Sequence, residues 1–384
     1  MATTLDKTIS DLTKHYGKKV IMKASEMHDI RKIPTDVPAY DYLMTGGVPI
    51  NRIIELYGDF SSLKSWISQV AVGKFQKYDW ANQVPNVISK VIYKRTKSKS
   101  HDEELKGLEL LEVEKVILRR GYKPKKPVRV KRCAWIDFEG TYDPAMGKRL
   151  GVDSDALLYI QPESLNKGVD IIQALLMDPE ICLVVIDSMV AIGSDGEADK
   201  SMEDEQMAVN ARFWNKATRK MQGAINANPE KDVTLIGINA AYDKVGIAYG
   251  SPEKVKNGKQ WSLAKSMSIR STALKEIKSK EEGKDVAVGR NIGLKNMKNK
   301  VGRPFLESNL YYSFVDDGLI GSCETDIYQQ ILDLGSDYGL IQRSGATYKF
   351  GEIKLATGLE NTKNYLKDNP DVFETIKNLV YEKF

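Results

Sequence analysis

The stretch that most constrains this chain is Arg52-Ile53-Ile54-Glu55-Leu56-Tyr57-Gly58-Asp59-Phe60-Ser61-Ser62-Leu63-Lys64-Ser65. An apolar, β-prone run (Ile53, Ile54, Leu56, Tyr57) stops at Gly58. Lys64-Ser65 then opens an amphipathic helical pattern through Ile67, Val70, Ala71, Lys74 and Phe75. Strand, turn and helix in that order make the setting of a P-loop: backbone N–H groups wrap a phosphate, a lysine reaches the terminal phosphates, and a hydroxyl holds Mg²⁺ at the helix N-terminus. Leu63 stands where the pattern wants glycine, so its side chain is expected to resist positive φ and to crowd the backbone near the phosphates. Taken alone, the stretch also reads as a surface turn with a chance Lys-Ser pair.

A length of 384 residues suggests two or three domains. No apolar run approaches a membrane span and no signal peptide is legible, so a soluble, cytoplasmic protein with no membrane partner is expected. Cys133, Cys182 and Cys323 are widely spaced in sequence and read as reduced thiols. With only His15, His28 and His101, a histidine-based catalytic or zinc site is disfavoured. The formal charge of +5 permits a polyanionic partner without demanding one.

Leu5, Ile9, Leu12 and Tyr16 fall on one helix face, and a β-prone run, Val20-Ile21-Met22, comes next. This helix and strand either pack back on the main domain or complete a neighbour's sheet by strand addition. From about residue 78 to 128 the chain turns Lys/Arg-rich around an acidic-apolar piece, an insert that is either solvated or in contact with nucleic acid.

Two runs then punctuate the core. Cys133-Ala134-Trp135-Ile136-Asp137-Phe138-Glu139 ends in carboxylates. Cys182-Leu183-Val184-Val185-Ile186-Asp187-Ser188 is a continuous apolar run ending in Asp-Ser, as suits a strand buried on both faces of a parallel sheet. With a third strand, Val233 to Asn239, and helical intervals between, the chain reads as a doubly wound α/β domain. Ligands bind at the carboxyl ends of such strands, where Gly58, Glu139, Asp187 and Asn239 fall together. An apolar strand ending in Asp suits Mg²⁺, and a neighbouring carboxylate suits activation of water. A strand-end cap for Asp187 and a plain ion pair for Glu139 are the competing readings.

A helix is expected over about 206–223, with Met207, Ala211, Trp214, Thr218 and Met221 on a core stripe and Arg212, Lys216 and Arg219 on a basic one. The basic stripe is either a solvated face or a phosphate track. The Gly-rich segment 240–260, with Tyr242, Lys244, Tyr249, Lys254 and Lys256, fits stacking and phosphate contact with a single strand, or a mobile loop without ligand.

Taken together, these segments resemble the RecA family of homologous recombinases along nearly the whole chain outside the insert. The match runs through Tyr16-Gly17-Lys18, Gly47 to Gly58, Ile136-Asp137-Phe138-Glu139 with Asp143-Pro144, Arg149-Leu150-Gly151-Val152-Asp153 and Val185-Ile186-Asp187-Ser188. It continues through Gly250-Ser251-Pro252-Glu253, Lys298-Asn299-Lys300 with Pro304-Phe305, and Tyr365 to Pro370. A bulky residue at the position of Leu63 looks like the phage UvsX branch. The resemblance implies that Gly58, Ser61, Ser62, Lys64 and Ser65 bind the ATP phosphates, with Ser65 and Asp187 on Mg²⁺, Glu139 activating water and Asp143 near the adenine. Lys298 and Lys300 would reach ATP from a neighbouring filament subunit. The segments 193–207 and 240–260 would be DNA-binding loops, with Met207 and Val245 wedging between bases, and Lys244, Arg212 and Arg219 close to the DNA. The Val20-Ile21-Met22 strand would carry polymerisation.

Three departures stand out. Ala240 replaces a glutamine of the family that senses the γ-phosphate, Met146 replaces an aromatic that stacks on adenine, and the basic insert has no counterpart. The expected architecture is a RecA-like P-loop ATPase core with a mostly parallel sheet (residues 36–318), preceded by a helix-strand polymerisation element (1–35) and followed by a small α/β domain (319–384). The expected function is a DNA-dependent ATPase and recombinase that forms helical filaments on single-stranded DNA and pairs it with double-stranded DNA. Another RecA-fold DNA motor, or a DNA-coating protein with weak ATP turnover, are the alternatives.

Overall fold

The computed structural model describes residues 3–16, 29–85, 88–89, 93–95, 108–110, 115–116, 129–189, 203–243, 253–254, 258–281 and 284–384. The chain divides into two compact units, Met1–Arg31 and Lys32–Phe384. In the first, helix α1 (Thr4–Tyr16) begins at a reciprocal cap: the Asp6 carboxylate accepts from the Thr3 N–H at 2.9 Å, and the Asp6 N–H donates to Thr3 Oγ1 at 3.2 Å. The expected strand at Val20-Ile21-Met22 lies outside the described residues.

The second unit is built on a sheet of eight strands. In chain order they are β1 (Ile53–Gly58), β2 (Arg132–Asp137), β3 (Leu157–Ile160), β4 (Ile181–Asp187), β5 (Thr234–Ala240), β6 (Met267–Glu281), β7 (Lys284–Asn299) and β8 (Glu307–Ser313). Across the sheet the order is β3-β2-β4-β5-β1-β6-β7-β8. Pairing is parallel from β3 to β6 and antiparallel from β6 to β8, which makes the sheet mostly parallel. Helices α2 (Pro38–Leu43), α3 (Lys64–Gln76), α4 (Pro144–Arg149), α5 (Leu165–Met177), α6 (Glu203–Ala227) and α7 (Gly258–Ala264) accompany it.

The continuous apolar runs belong to the central strands, because both faces of the sheet are covered. Ile54, Leu56, Trp135, Leu183, Val185, Ile236 and Ile238 pack in one core with Ile67, Val70, Ala71 and Phe75 of α3. Their strand neighbours Ile53, Ala134, Ile136, Val184, Ile186 and Leu235 face the other way, into a core with α5 and with Trp214, Ala217 and Met221 of α6. Each of the buried valine, leucine, isoleucine, phenylalanine and methionine side chains contributes about 1.5–3 kcal/mol on burial. Helix α6 is longer than the expected 206–223: it runs Glu203–Ala227, passing through Gly223 and ending just before Asn228-Pro229. Cys133 and Cys182, remote in sequence, face each other across β2 and β4 with 3.7 Å between sulfurs.

After β8 come α8 (Ile327–Asp337), a three-stranded antiparallel sheet of β9 (Ile341–Ser344), β10 (Thr347–Phe350) and β11 (Ile353–Thr357), then α9 (Leu359–Asp368) and α10 (Pro370–Tyr381). They enclose a separate core of Ile331, Leu334, Ile341, Leu355, Leu366, Phe373, Ile376 and Val380. Polar bonds tie this small domain to the large one. Gln330 Oε1 accepts from the Ala39 N–H at 3.0 Å, and Tyr381 donates its hydroxyl proton to the buried Asp41 carboxylate at 2.9 Å.

Candidate active site

β1 delivers the chain to Gly58, whose φ of +142° and close approach to β6 leave no space for a side chain. The turn Asp59 to Leu63 then leads into α3 at Lys64. Leu63 occupies the left-handed region, φ +69° and ψ +17°, where glycine was expected. The expectation that its side chain would resist this conformation is corrected by packing: the isobutyl group is only 8 % exposed and joins the core shared with α3. Left-handed backbone costs about 1–2 kcal/mol in an L-residue, against about 1.5–3 kcal/mol from burying a leucine. Leu63→Gly is therefore expected to keep the loop while lowering stability by about 1 kcal/mol in urea unfolding. A stabilised variant would show that the strain outweighs the packing.

Lys64 lies over the loop that precedes it. Its ammonium donates to the Gly58 carbonyl at 3.2 Å, to the Asp59 carbonyl and to Ser62 Oγ at 3.4 Å. Among the described residues it makes no ion pair. Burial lowers its pKa, while Asp187, Asp59 and Glu139 oppose that shift without touching it. Ser61 is exposed and Ser62 is buried, its hydroxyl donating to the Asp59 carbonyl at 2.7 Å.

Register brings the carboxylates to the same end of the sheet. Asp137 pairs with Asp187 across β2 and β4, and Ala240 pairs with Gly58 across β5 and β1. Asp187 is 4 % exposed and has Ser65 beside it. Burial, helped by Glu139 and Asp137, pushes its carboxyl up to about 6, and Ser65 and Lys64 pull the other way. β2 ends at Asp137 rather than at Glu139, which stands exposed in the adjoining turn with the Ser188 hydroxyl donating to its Oε1.

Asp137 itself was not among the expected site residues, and it fixes that turn. Its buried carboxylate accepts from the N–H groups of Glu139 at 3.0 Å, Gly140 at 2.7 Å and Tyr142 at 2.9 Å, and from the Tyr159 hydroxyl at 3.1 Å. Asp-x-Glu at a strand end is the signal that could have found it. Beside the loop lies a 410 Å³ cleft lined by Ser61 to Trp66 together with Arg290, Ile292, Tyr312 and Phe314. These residues of β7, β8 and the segment after β8 were also missed; nothing in their local pattern distinguishes them from ordinary strand positions.

Other expected residues do not line this cleft. Asp143 is exposed and caps α4, accepting from the Ala145 N–H at 2.8 Å. Lys298 pairs with Ser268, which pairs in turn with Glu55, and the Lys300 N–H donates to Ser266, whose own N–H reaches Ile53. Lys298 is thus level with the middle of β1 and Lys300 with its amino end, roughly 10–16 Å along the strand from Gly58. Arg212, Lys216 and Arg219 form an exposed face of α6 opposite its buried stripe of Trp214, Thr218 and Met221. Met207 lies on the α6 backbone with its side chain outside the described residues, as are Lys244 and Val245 entirely.

A mostly parallel α/β sheet with a strand-turn-helix loop at its centre and carboxylates at the adjoining strand ends defines the P-loop class. Within that class, residues 3–84 and 125–318 match the RecA N-terminal domain, and residues 329–384 the RecA C-terminal domain. The protein RecA of Streptomyces rimosus is 29% identical over 384 residues, covering 99% of this chain and 84% of that protein. RecA of Lactobacillus johnsonii is 29% identical over 385 residues, covering 99% and 88%, and RecA of Bacillus pumilus 29% over 385, covering 99% and 92%. The chain belongs to the RecA family, and its function is that of a RecA-type recombinase in recombination and repair. Among the described residues no helix is long and apolar enough to cross a membrane.

Proposed function

We propose that this recombinase binds ATP with Mg²⁺ at the Gly58 to Ser65 loop, hydrolyses it when DNA is bound, and assembles as a helical filament on single-stranded DNA that it pairs with duplex. The observation that carries the reading is Lys64: a partly buried cation with only carbonyl and hydroxyl partners, beside Ser65, Asp187 and Glu139. Such a lysine fits an anionic ligand, and its present partners are ones a phosphate replaces without leaving a buried charge bare. Gly58 and the N–H groups of the turn would cradle phosphates, with Ser61 and Ser62 adding hydroxyls. Ser65 and Asp187 would hold the metal, which supplies charge neutralisation at the phosphates. Glu139, oriented by Ser188 and by the turn that Asp137 fixes, would take the proton of the attacking water. The aromatic cleft at Tyr312 and Phe314 suits a nucleotide base, and Asp143 would approach its edge.

Lys298 and Lys300 would serve a neighbour rather than their own loop, a reading supported by their position toward the amino end of β1, away from Gly58. They would neutralise charge on the transferring phosphoryl group from the adjacent subunit. Arg212 and Arg219, with Met207, Lys244 and Val245, would contact DNA. ATP hydrolysis is expected to rise strongly with single-stranded DNA; turnover indifferent to DNA would sink the reading. Lys300→Ala should lower turnover, and mixing it with Lys64→Ala should restore part of it, because one subunit then supplies the loop and its neighbour the lysine. Absence of any restoration would place both groups in one subunit's site.

A further inference from the structure

Glu55 lies fully buried in the middle of β1, and side-chain donors from three other elements converge on it. Asn239 Nδ2 and Trp261 Nε1 donate to Oε1 at 2.9 and 2.6 Å. Ser268 Oγ donates to Oε2 at 2.6 Å, and the Lys265 ammonium pairs with the same oxygen while also donating to Ser268 Oγ at 3.1 Å. A buried carboxylate is destabilising unless its lone pairs are filled; here they are filled from β5, from α7 with the residue just after it, and from β6.

Trp261 and Lys265 bracket the last turn of α7, and the Lys265 N–H closes that turn on the Trp261 carbonyl at 3.1 Å. Two further carbonyls of the turn are taken by two ammonium groups. Lys298 Nζ donates to Ser262 O at 2.6 Å and Leu263 O at 3.3 Å, and Lys300 Nζ to Leu263 O at 3.0 Å. A continuous set of bonds thus runs from β1 through the end of α7 to both lysines.

We propose that Glu55 is a positioning residue for Lys298 and Lys300: by pinning α7 to β1 it fixes the carbonyls on which the two ammonium groups rest. The proposal rests on the reading that these lysines act at a neighbour's nucleotide. The charged groups facing Lys298 are Lys300 just past the end of its strand, Lys265 just after α7 and Glu55 on β1. Burial, then Lys300 and Lys265, push the Lys298 ammonium down to about 8, and Glu55 alone among these opposes them. Lys298 therefore loses its charge as pH rises through that value, a range in which enzyme assays run.

Glu55 and Lys265 pull Lys298 in opposite directions, and this separates electrostatic positioning from mere packing. The test is the titration of Lys298 by NMR of the full-length protein labelled at lysine nitrogen, with Lys298→Arg assigning the signal, alongside the pH profile of DNA-stimulated hydrolysis. Glu55→Gln is expected to move the Lys298 midpoint and the alkaline limb of hydrolysis to lower pH, and Lys265→Met to move both to higher pH. The double variant replaces a buried ion pair with neutral groups, a change that proteins often tolerate. It keeps the test intact where Glu55→Gln alone fails to fold, and its midpoint should lie between those of the single variants or near the wild type. Shifts of Glu55→Gln and Lys265→Met in the same direction, or no shift in a folded Glu55→Gln protein, would overturn the proposal. Midpoints that move as expected while the hydrolysis limb stays put would uphold the positioning of Lys298 and reject its action at the neighbour's site.

Discussion

Lys64→Ala is expected to abolish ATP hydrolysis and ATP-dependent filament assembly, with turnover falling by at least about a hundred-fold, the usual consequence of removing one preorganised group aimed at developing charge. The size of the effect comes from the lysine's surroundings. Its ammonium is held over the loop by the Gly58 and Asp59 carbonyls and Ser62, and among the described residues no other cation lines the adjoining cleft except Arg290 across it. Arg290 is committed to Glu276 on the neighbouring strand, so it does not substitute. The fold should be indifferent, because Lys64 is in no hydrophobic cluster and the helix it begins accepts alanine well. Nucleotide-dependent hydrolysis and electron microscopy of assemblies, with a melting curve as control, read the two effects separately. Normal assembly by a folded Lys64→Ala protein would remove the loop from the account of function.

Gly58→Ala is expected to damage the fold itself. A β carbon at Gly58 would stand 1.8 Å from the Ser271 carbonyl oxygen and 2.8 Å from its carbon, atoms of the β6 backbone that a side-chain rotation cannot move. The backbone there has φ +142°, which an L-residue rarely adopts. The same contact closes the loop, since the Asp59 N–H donates to the Ser271 carbonyl at 3.2 Å. Separation of β1 from β6 at this end would open both the sheet and the phosphate loop, a loss of about 3 kcal/mol or more. Gly223→Ala is the matched control: it sits in α6 with nothing within 4 Å of the added carbon, and should stabilise by up to about 1 kcal/mol. Equal melting temperatures for the two alanine variants would refute the close approach of β6 at Gly58.

Much of this was legible before any coordinates. Runs such as Leu183 to Ile186 have no polar face, so they predict strands covered on both sides, and they form β4 and its neighbours. Parallel pairing then makes their carboxyl ends coincide, which is why Gly58, Glu139 and Asp187, far apart in sequence, could be assigned to one site from their positions at the ends of runs. The family resemblance carried further, to Lys298 and Lys300, which no periodicity would have singled out.

Local rules failed where a long-range contact outweighed a local preference. A leucine at a left-handed position reads as a defect in sequence, because the rule knows the backbone strain and not the core that receives the side chain. Tyr312 and Phe314 reach the cleft, and Cys133 meets Cys182, through strand register, which no local pattern states. Glu55 looked like one polar residue in a β-prone run, yet it is the centre of a buried network whose partners come from residues 239 to 268. By itself the sequence determined the strands, the loop and the residue types at their ends, because hydrophobic periodicity and turn chemistry act over a few residues. Only the tertiary structure decided which side chains share a cavity, which end of the sheet each lysine occupies and which strain is offset, because those depend on packing between segments hundreds of residues apart.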